Sequence, residues 1–488
     1  MHKFVDRRQS AHLILSPMLY EPSAWMIVPF VGLLGTIALA PLVCPDWWAR
    51  HYPKVAIAFA AITLSYYLFF LPAPARHTIL HTGHEYISFI ALIGSLFVVS
   101  GGIHIGVKGE SRPGENVIFL LIGAVIANLF GTTGASMLLI RPWIRMNKYR
   151  ITAYHIVFFI FIVSNMGGCL TPIGDPPLFL GYLKGIPFWW VLEHCWPMWL
   201  VGNGILLAIF YVIDRRNYQR APRPVRETLA EPPDVFRFNG LHNIIFLGMI
   251  LGAVFINEPV FIREIIMVLA AVGSYFTTNR QIHESNHFNF HPIIEVAVLF
   301  FGIFSTMMPA LDWLKIHAGE LGTPTPAFYF WATGSLSSFL DNAPTYLTFL
   351  SSVFGAVISP DVIKQVEHLI QTNGADLSTM AEPVRQTFLA LQKYHASAIA
   401  NGTVTVDEIE IAYLIGNVSL NSFIVAISIG AVFFGACTYI GNGPNFMVKA
   451  IADQQKIHVP TFLGYIFKYT LPYMLPTLAI VWLIFFRK

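Results

Sequence analysis

Long apolar stretches separated by short polar ones dominate this chain. Segments 25–42, 55–71, 87–105, 191–213, 244–256, 265–276, 293–311, 411–437 and 461–486 each read as continuous apolar sequence. A helix needs roughly 20 mostly apolar residues to cross hydrocarbon. Most of these stretches are long enough, and 244–256 and 265–276 need their flanks to complete a crossing. The pattern predicts an all-α polytopic membrane protein. Two further apolar segments, 115–139 and 327–349, carry polar or helix-breaking residues at their centres. These are Asn128-Leu-Phe-Gly-Thr-Thr-Gly134 and Leu340-Asp-Asn-Ala-Pro-Thr345. Each is expected to be a re-entrant hairpin, because a non-helical tip at membrane depth is tolerated only when it lines a cavity or is buried in protein.

Two polar stretches divide the apolar pattern. Segment 215–238 holds Arg215, Arg216, Arg220, Arg223, Arg226 and Arg237 with several prolines and reads as a linker. Segment 359–410 reads as a soluble, acid-rich insertion with amphipathic stretches at 362–369 and 380–394. The expected organisation is a first transmembrane repeat (1–214), a cytoplasmic linker (215–240) and a second repeat (241–488) carrying the insertion. The halves match in order. Thr171-Pro-Ile-Gly-Asp-Pro-Pro-Leu-Phe179 pairs with Thr438-Tyr-Ile-Gly-Asn-Gly-Pro-Asn-Phe446, and Ala124-Val-Ile-Ala-Asn128 with Ser338-Phe-Leu-Asp-Asn342. Glu85 pairs with Glu295, and His77, His81 and His84 with His283, His287 and His291. Four matches in one order point to an internal repeat. Each half is expected to cross five times, which inverts the second relative to the first.

Charge tests that scheme. It puts the linker on one side with Lys108, Arg112, Arg141, Arg145, Lys148, Arg150, Lys449 and Lys456, the cytoplasmic side by the positive-inside rule. Lys3, Arg7 and Arg8 fall on the other side, against the rule. The chain's 488 residues are 55% hydrophobic and 12% charged, about half the charge of a soluble protein, and the net charge is +3. No basic patch with interleaved aromatics suggests nucleic acid. Cys44, Cys169, Cys195 and Cys437 have no metal-like or redox spacing. Cys44-Pro-Asp-Trp47 after the first apolar stretch does not resemble a cleavage site, so the first helix is expected to be retained. A multi-pass protein of the inner (cytoplasmic) membrane follows, with the lipid bilayer and small ions as its partners.

Candidate chemistry concentrates at two breaks, Ser164-Asn-Met-Gly-Gly-Cys-Leu-Thr-Pro-Ile-Gly-Asp-Pro-Pro177 and Gly435-Ala-Cys-Thr-Tyr-Ile-Gly-Asn-Gly-Pro-Asn445. Glycine and proline at this density interrupt a helix, and the exposed half-helix ends can hold ions. A proline kink with no site is the bland alternative, weakened by the recurrence. Asp175 and Asp341 are the central candidates, because an ionised carboxylate at mid-membrane persists when it binds a cation or a proton. Their repeat counterparts are Asn442 and about Ala127, so the halves differ chemically. Either acid could instead cap a half-helix. Asn128, Asn165, Thr171, Asn342, Thr345 and Asn442 complete the expected ion- or substrate-binding set. Glu85 and Glu295, read as opening their helices with Glu295 the deeper, are possible proton relays or simple first-turn acids. His283, His287 and His291 would share a helix face if helical, a weak metal signal; no metal is expected beyond transported sodium, and no cofactor.

At these motifs the sequence resembles the ion transporter superfamily of NhaD-type sodium/proton antiporters, arsenite permeases and citrate/dicarboxylate transporters. Ser164-Asn-Met-Gly-Gly, Thr171-Pro-Ile-Gly-Asp175 and Leu340-Asp-Asn-Ala-Pro-Thr345 are most similar to the NhaD-like branch, and the resemblance spans nearly the whole chain. It implies two re-entrant hairpins, two broken helices, a homodimer and elevator-like alternating access. By motif position it implies Asn165, Asp175, Asp341 and Asn342 in ion binding, with Na+ and H+ as ligands. Pro176-Pro177 and the insertion depart from that branch. Sodium/proton antiport is the first functional expectation. Cation-coupled transport of citrate, a dicarboxylate or another anion is the second; it suits Asn128, Thr132, Thr133 and Asn442, with the acids holding coupling sodium. An intramembrane aspartyl protease would need two acids sharing a proton, and the hairpin setting of Asp341 argues against it. The protein is expected not to be an enzyme, and no nucleotide-binding motif supports an ATP-driven pump.

Overall fold

A computed structural model describes residues 21–106, 111–220, 237–256, 259–321, 324–372 and 374–487. Lys3, Arg7, Arg8, Lys108, Arg223 and Arg226 lie outside the described residues, as does most of the 215–240 linker.

Among the described residues the chain is almost wholly helical. Its first part runs α1 (Val28–Val43), α2 (Pro45–Phe69), α3 (Ala75–Gly101), α4 (Pro113–Met146), α5 (Ala153–Ile162), α6 (Pro176–Leu183) and α7 (Phe188–Arg220). The second runs α8 (Asn243–Ala253), α9 (Ile262–Thr277), α10 (Arg280–Ser285), α11 (His291–His317), α12 (Pro326–Ser337) and α13 (Asn342–Val357). Then come α14 (Pro360–Gln371), α15 (Glu382–Tyr394), α16 (Ala396–Asn401), α17 (Val406–Gly416), α18 (Asn421–Phe434), α19 (Gly443–Gln454) and α20 (Phe462–Phe485). Among the described residues eight helices are long and apolar enough to cross a membrane, and the pair α13/α14 is bent by 89°. This is a multi-pass membrane protein. Its outward faces agree: Leu39, Ile57, Phe69, Ile245, Leu269 and Phe276 are exposed apolar side chains on helices that present them to lipid.

Several boundaries differ from the sequence pattern. The single stretch 411–437 divides into α17 and α18, because Asn417 leaves helical geometry with ψ 98° and a 3-10 turn at Val418–Leu420 follows. The arginine-rich start of the linker continues α7 to Arg220; Arg215, Arg216 and Arg220 are good helix formers with no proline before Pro222. At the linker's far end, Arg237–Asn239 pairs antiparallel with His104–Gly106 and ties it to the end of α3. The 359–410 segment forms α14, α15, α16 and the start of α17.

α4 is not a straight rod. Asn116 Nδ2 donates to Asn147 Oδ1 at 2.8 Å, whereas 31 residues of straight helix would separate them by about 46 Å. The chain therefore folds back on itself, at Gly131, where φ is 73° and ψ 157°. That conformation is nearly exclusive to glycine, and a Cβ there would also meet the Ile173 carbonyl oxygen at 3.3 Å. α12 and α13 form a second hairpin. Tyr329 and Ser352 approach within 3.2 Å through their hydroxyls across it, and its tip is at 338–341. Between the hairpins lie α5 and α18, buried on every side, as expected of helices apolar all round.

Candidate functional site

Two helices stop in the middle of this core. α5 ends at Ile162, a 3-10 turn spans Met166–Gly168, and α6 restarts at Pro176. α18 ends at Phe434, a 3-10 turn spans Gly435–Cys437, and α19 restarts at Gly443. The residue before each restart is extended, Asp175 at φ −144° and ψ 144°, Asn442 at φ −154° and ψ 140°. Proline follows each within two residues, at the one place in a helix where its missing N–H costs nothing.

Asp175 is the centre on which four segments converge. Its Oδ1 accepts hydrogen bonds from Thr132 Oγ1 at 2.6 Å and Asn442 Nδ2 at 3.1 Å. Its Oδ2 accepts one from Asn342 Nδ2 at 2.6 Å. Thr132 sits at the tip of the first hairpin, Asn342 at the tip of the second, and Asn442 at the second break. Asp175 is 1% exposed. Asn442 also donates to Asn165 Oδ1 at 3.1 Å, and Asn165 donates to Asn445 Oδ1 at 2.7 Å. The network thus spans both halves of the chain. Asp341 caps α13 by accepting from the Ala343 N–H at 3.0 Å, and it directly precedes Asn342, which donates to Asp175. Among the described residues the hydrogen-bond partners of the two carboxylates include no lysine, arginine or histidine. The amide oxygen of Asn342 is buried without a hydrogen-bond donor among the described residues.

This is an acceptor-rich cluster in a low-dielectric interior. Three donors orient Asp175, but their partial charges do not cancel a full negative one, and the N-termini of α6, α13 and α19 add only half-charges of favourable sign. A buried carboxylate without a cationic partner takes up a cation or a proton. A cavity of 20 Å³ abuts Asp175, lined by Leu92, Leu96, Gly131, Thr132, Ile173 and Phe179 among others. It is large enough for a water molecule or a bare monovalent ion.

The remaining candidates fall elsewhere. Asn128 donates to the carbonyls of Gly167 (2.8 Å) and Ala124 (3.0 Å) and accepts from Leu170 N. Thr171 donates to the Asn128 carbonyl at 2.6 Å. Both fasten the hairpin to the break rather than facing Asp175. Thr345 back-bonds to the Asp341 carbonyl of its own helix. Thr132, named from sequence only among the residues suited to an anion and not in the expected ion-binding set, contacts Asp175 directly, and Asn445 is an unforeseen member of the network. The signal that singles out Thr132 lies in the fold and not in the sequence. Thr171 bonds the Asn128 carbonyl, and its counterpart Thr438 bonds the Ser338 carbonyl at 2.5 Å. These bonds set Asn128 opposite Ser338 and hence Thr132 opposite Asn342. This pairing differs by four residues from the sequence register, which sets Asn128 opposite Asn342, and it sets Gly131 rather than Ala127 opposite Asp341.

The glutamates also differ from expectation. Glu85 lies ten residues inside α3 rather than at its start, and it is buried. Glu295 is the more exposed of the two, at 38% of its side chain, 3.9 Å from His291. His283 ends up on α10, His287 lies outside any helix at φ 47°, and His291 opens α11, so they share no helix face. Among the described residues, His81, Glu85 and Asp407 are spaced for a metal ion. Lys184 Nζ already bridges Glu85 (2.9 Å) and Asp407 (2.8 Å) and supplies the positive charge there.

No curated protein matches the chain. Over residues 20–486, however, it matches the family model CitMHS_2, described as "Putative citrate transport". The chain belongs to this family of secondary transporters, within the ion and citrate transporter superfamily.

Proposed function

We propose that the protein is a cation-coupled transporter of a polycarboxylate of the citrate class, with the coupling Na+ or H+ held at Asp175. The observation that carries this reading is the convergence of Thr132, Asn342 and Asn442 on one buried carboxylate that has no basic partner among the described residues. Asp341 and the amide oxygen of Asn342, which lacks a hydrogen-bond donor among the described residues, are additional candidate cation ligands. The family match supplies the anion class. The anion's carboxylates would be met by neutral amides, hydroxyls and half-helix N-termini once the ion-sized cavity widens. Two hairpins and two breaks, fastened by the equivalent Thr171 and Thr438 bonds, support two repeats in inverted orientation; a homodimer in the inner membrane remains part of this reading.

Sodium/proton antiport is the second reading. The 20 Å³ cavity favours it, since that space suits an ion and not a citrate, as do the motifs resembling the NhaD-like branch. Proteoliposomes separate the two. Under the first reading, radiolabelled citrate enters when sodium or protons are supplied as an inward gradient, and sodium alone moves few protons. Sodium-driven proton release with no dependence on citrate would overturn it in favour of antiport.

A further inference from the structure

A second polar cluster lies apart from Asp175, along a cavity of 760 Å³. Five side chains form a continuous chain of ion pairs there. Glu85 meets Lys184 at 2.9 Å, and Lys184 meets Asp407 at 2.8 Å. Asp407 meets Lys315 at 2.8 Å, and Lys315 meets Glu410 at 2.9 Å. Their side chains are only 6% to 19% exposed. Charges so placed are weakly screened by salt, and losing one partner leaves the other desolvated and uncompensated.

The connectivity matters more than the pairing. Lys184 immediately follows α6, the half-helix that begins behind Asp175, while Asp407 and Glu410 lie on α17. α6 packs chiefly on α13, with smaller contacts to α3 and α18, and α17 packs on α15 and α18. Glu85 and Lys315 belong to α3 and α11, which pack on each other and on α2 and α9. Three of the four pairs therefore cross from the group carrying the ion-binding residues to the group of long apolar helices; only Lys184–Asp407 lies within one group. The two groups meet along α11 and α13, and α3 also packs on α6 and on the first hairpin, α4. If one group slides on the other, these three cross-pairs break together.

We propose that the Glu85–Lys184–Asp407–Lys315–Glu410 chain is a latch. It holds α6, and with it Asp175, in the position in which the 760 Å³ cavity is open, and its release lets the site-bearing group leave that position. Two lysines against three carboxylates make the chain net negative, which leaves the latch easier to open than a balanced network of the same length.

Thiol labelling tests this without any cargo, so its outcome is independent of the transport reading. Ser351, on α13, lines the cavity. Ser351→Cys is placed in a chain whose four native cysteines are replaced, and the protein is held in nanodiscs, where both faces are accessible. A methanethiosulfonate reagent then reports how often the cavity is open. Lys315→Met and Glu85→Gln should each slow labelling, by about tenfold if the loss of a part-buried ion pair moves a two-state equilibrium. Lys315→Arg should restore the rate. Should Lys315→Met not elute as a folded species, Glu410→Gln, which leaves Lys315 paired to Asp407, is read the same way. Unchanged or faster labelling in folded variants would overturn the proposal.

Discussion

Asp175→Asn isolates the charge on which the site is built. The substitution keeps the shape of the side chain and removes its negative charge. A monovalent cation about 4 Å from a carboxylate, at an effective dielectric of about 20, gains roughly 4 kcal/mol. Losing that attraction weakens binding by close to a thousandfold, at about 1.4 kcal/mol per decade. The fold should tolerate the change, because burying a neutral amide costs less than burying an unpaired carboxylate. One new conflict arises, since the introduced amide nitrogen would face the donors Thr132 and Asn342 on one side or the other. The assay is thermal unfolding of purified protein with and without sodium, choline serving as the ionic-strength control. A ligand at about one hundred times its Kd stabilises by about 2.7 kcal/mol. With affinity reduced a thousandfold, the same sodium concentration gives less than about 0.1 kcal/mol. The variant should therefore match the parent without sodium and fail to respond to it. If the parent responds, a variant that keeps the full sodium increment would refute the placement of the cation at Asp175. Should the parent respond only to acidification, the coupling ion is a proton, and the same comparison is made across pH.

Other consequences follow from the same geometry. Asp341→Asn should express and fold yet lose ion-coupled transport in proteoliposomes; normal coupled flux would remove Asp341 from the site. Gly131→Ala should destabilise the first hairpin by about 1–3 kcal/mol, because it forces a side chain into a glycine-only backbone conformation and against the Ile173 carbonyl; an unchanged denaturation midpoint would contradict that tip geometry. For orientation, Gln219→Cys at the end of α7 should resist an impermeant thiol reagent in intact cells, and Gln392→Cys in the 359–410 segment should react; the reverse labelling inverts the scheme.

How much of this was legible in the sequence depended on whether the signal was local. The breaks at 163–175 and 435–442 announce themselves, because glycine and proline stop a helix by backbone chemistry that needs no tertiary context. The same holds for Asp175, Asn165 and Asn442, each embedded in such a break, and for Asn342 beside the helix-breaking Pro344. The extents of the hairpins were less visible. α4 runs from Pro113 to Met146, well past the 115–139 core of its apolar signal, since its polar ends are held by contacts such as Asn116 with Asn147. Glu85 was misplaced for a related reason. His77, Thr78, His81 and His84 dilute the apolar pattern, so hydropathy began that helix at 87, twelve residues late, where tertiary ion pairing allows a polar first stretch.

The register of the two hairpins shows where reasoning from one sequence stops. Aligning the Asn of Ala127-Asn128 with the Asn of Asp341-Asn342 matches residue types, and it puts Asn128 in the site. The fold instead matches positions. Thr171 and Thr438 reach back to the carbonyls of Asn128 and Ser338, and those bonds make Thr132 the counterpart of Asn342. Both donate to Asp175, one with a hydroxyl and one with an amide. Identity is therefore retained at the fasteners, where a threonine hydroxyl must meet a carbonyl and accept from a glycine N–H. It differs at the ligands. Gly131 on one hairpin corresponds to Asp341 on the other, and Asn442 at one break to Asp175 at the other. A symmetric pair of acids on both hairpins and both breaks would crowd four carboxylates around one ion-sized space, a charge a single cation cannot balance. One acid from each half keeps the cluster within reach of one or two cations, and the neutral counterparts supply the donors that orient Asp175. That asymmetry sets donors and acids around one centre, and it separates a pairing of the hairpins by position from a pairing by residue type.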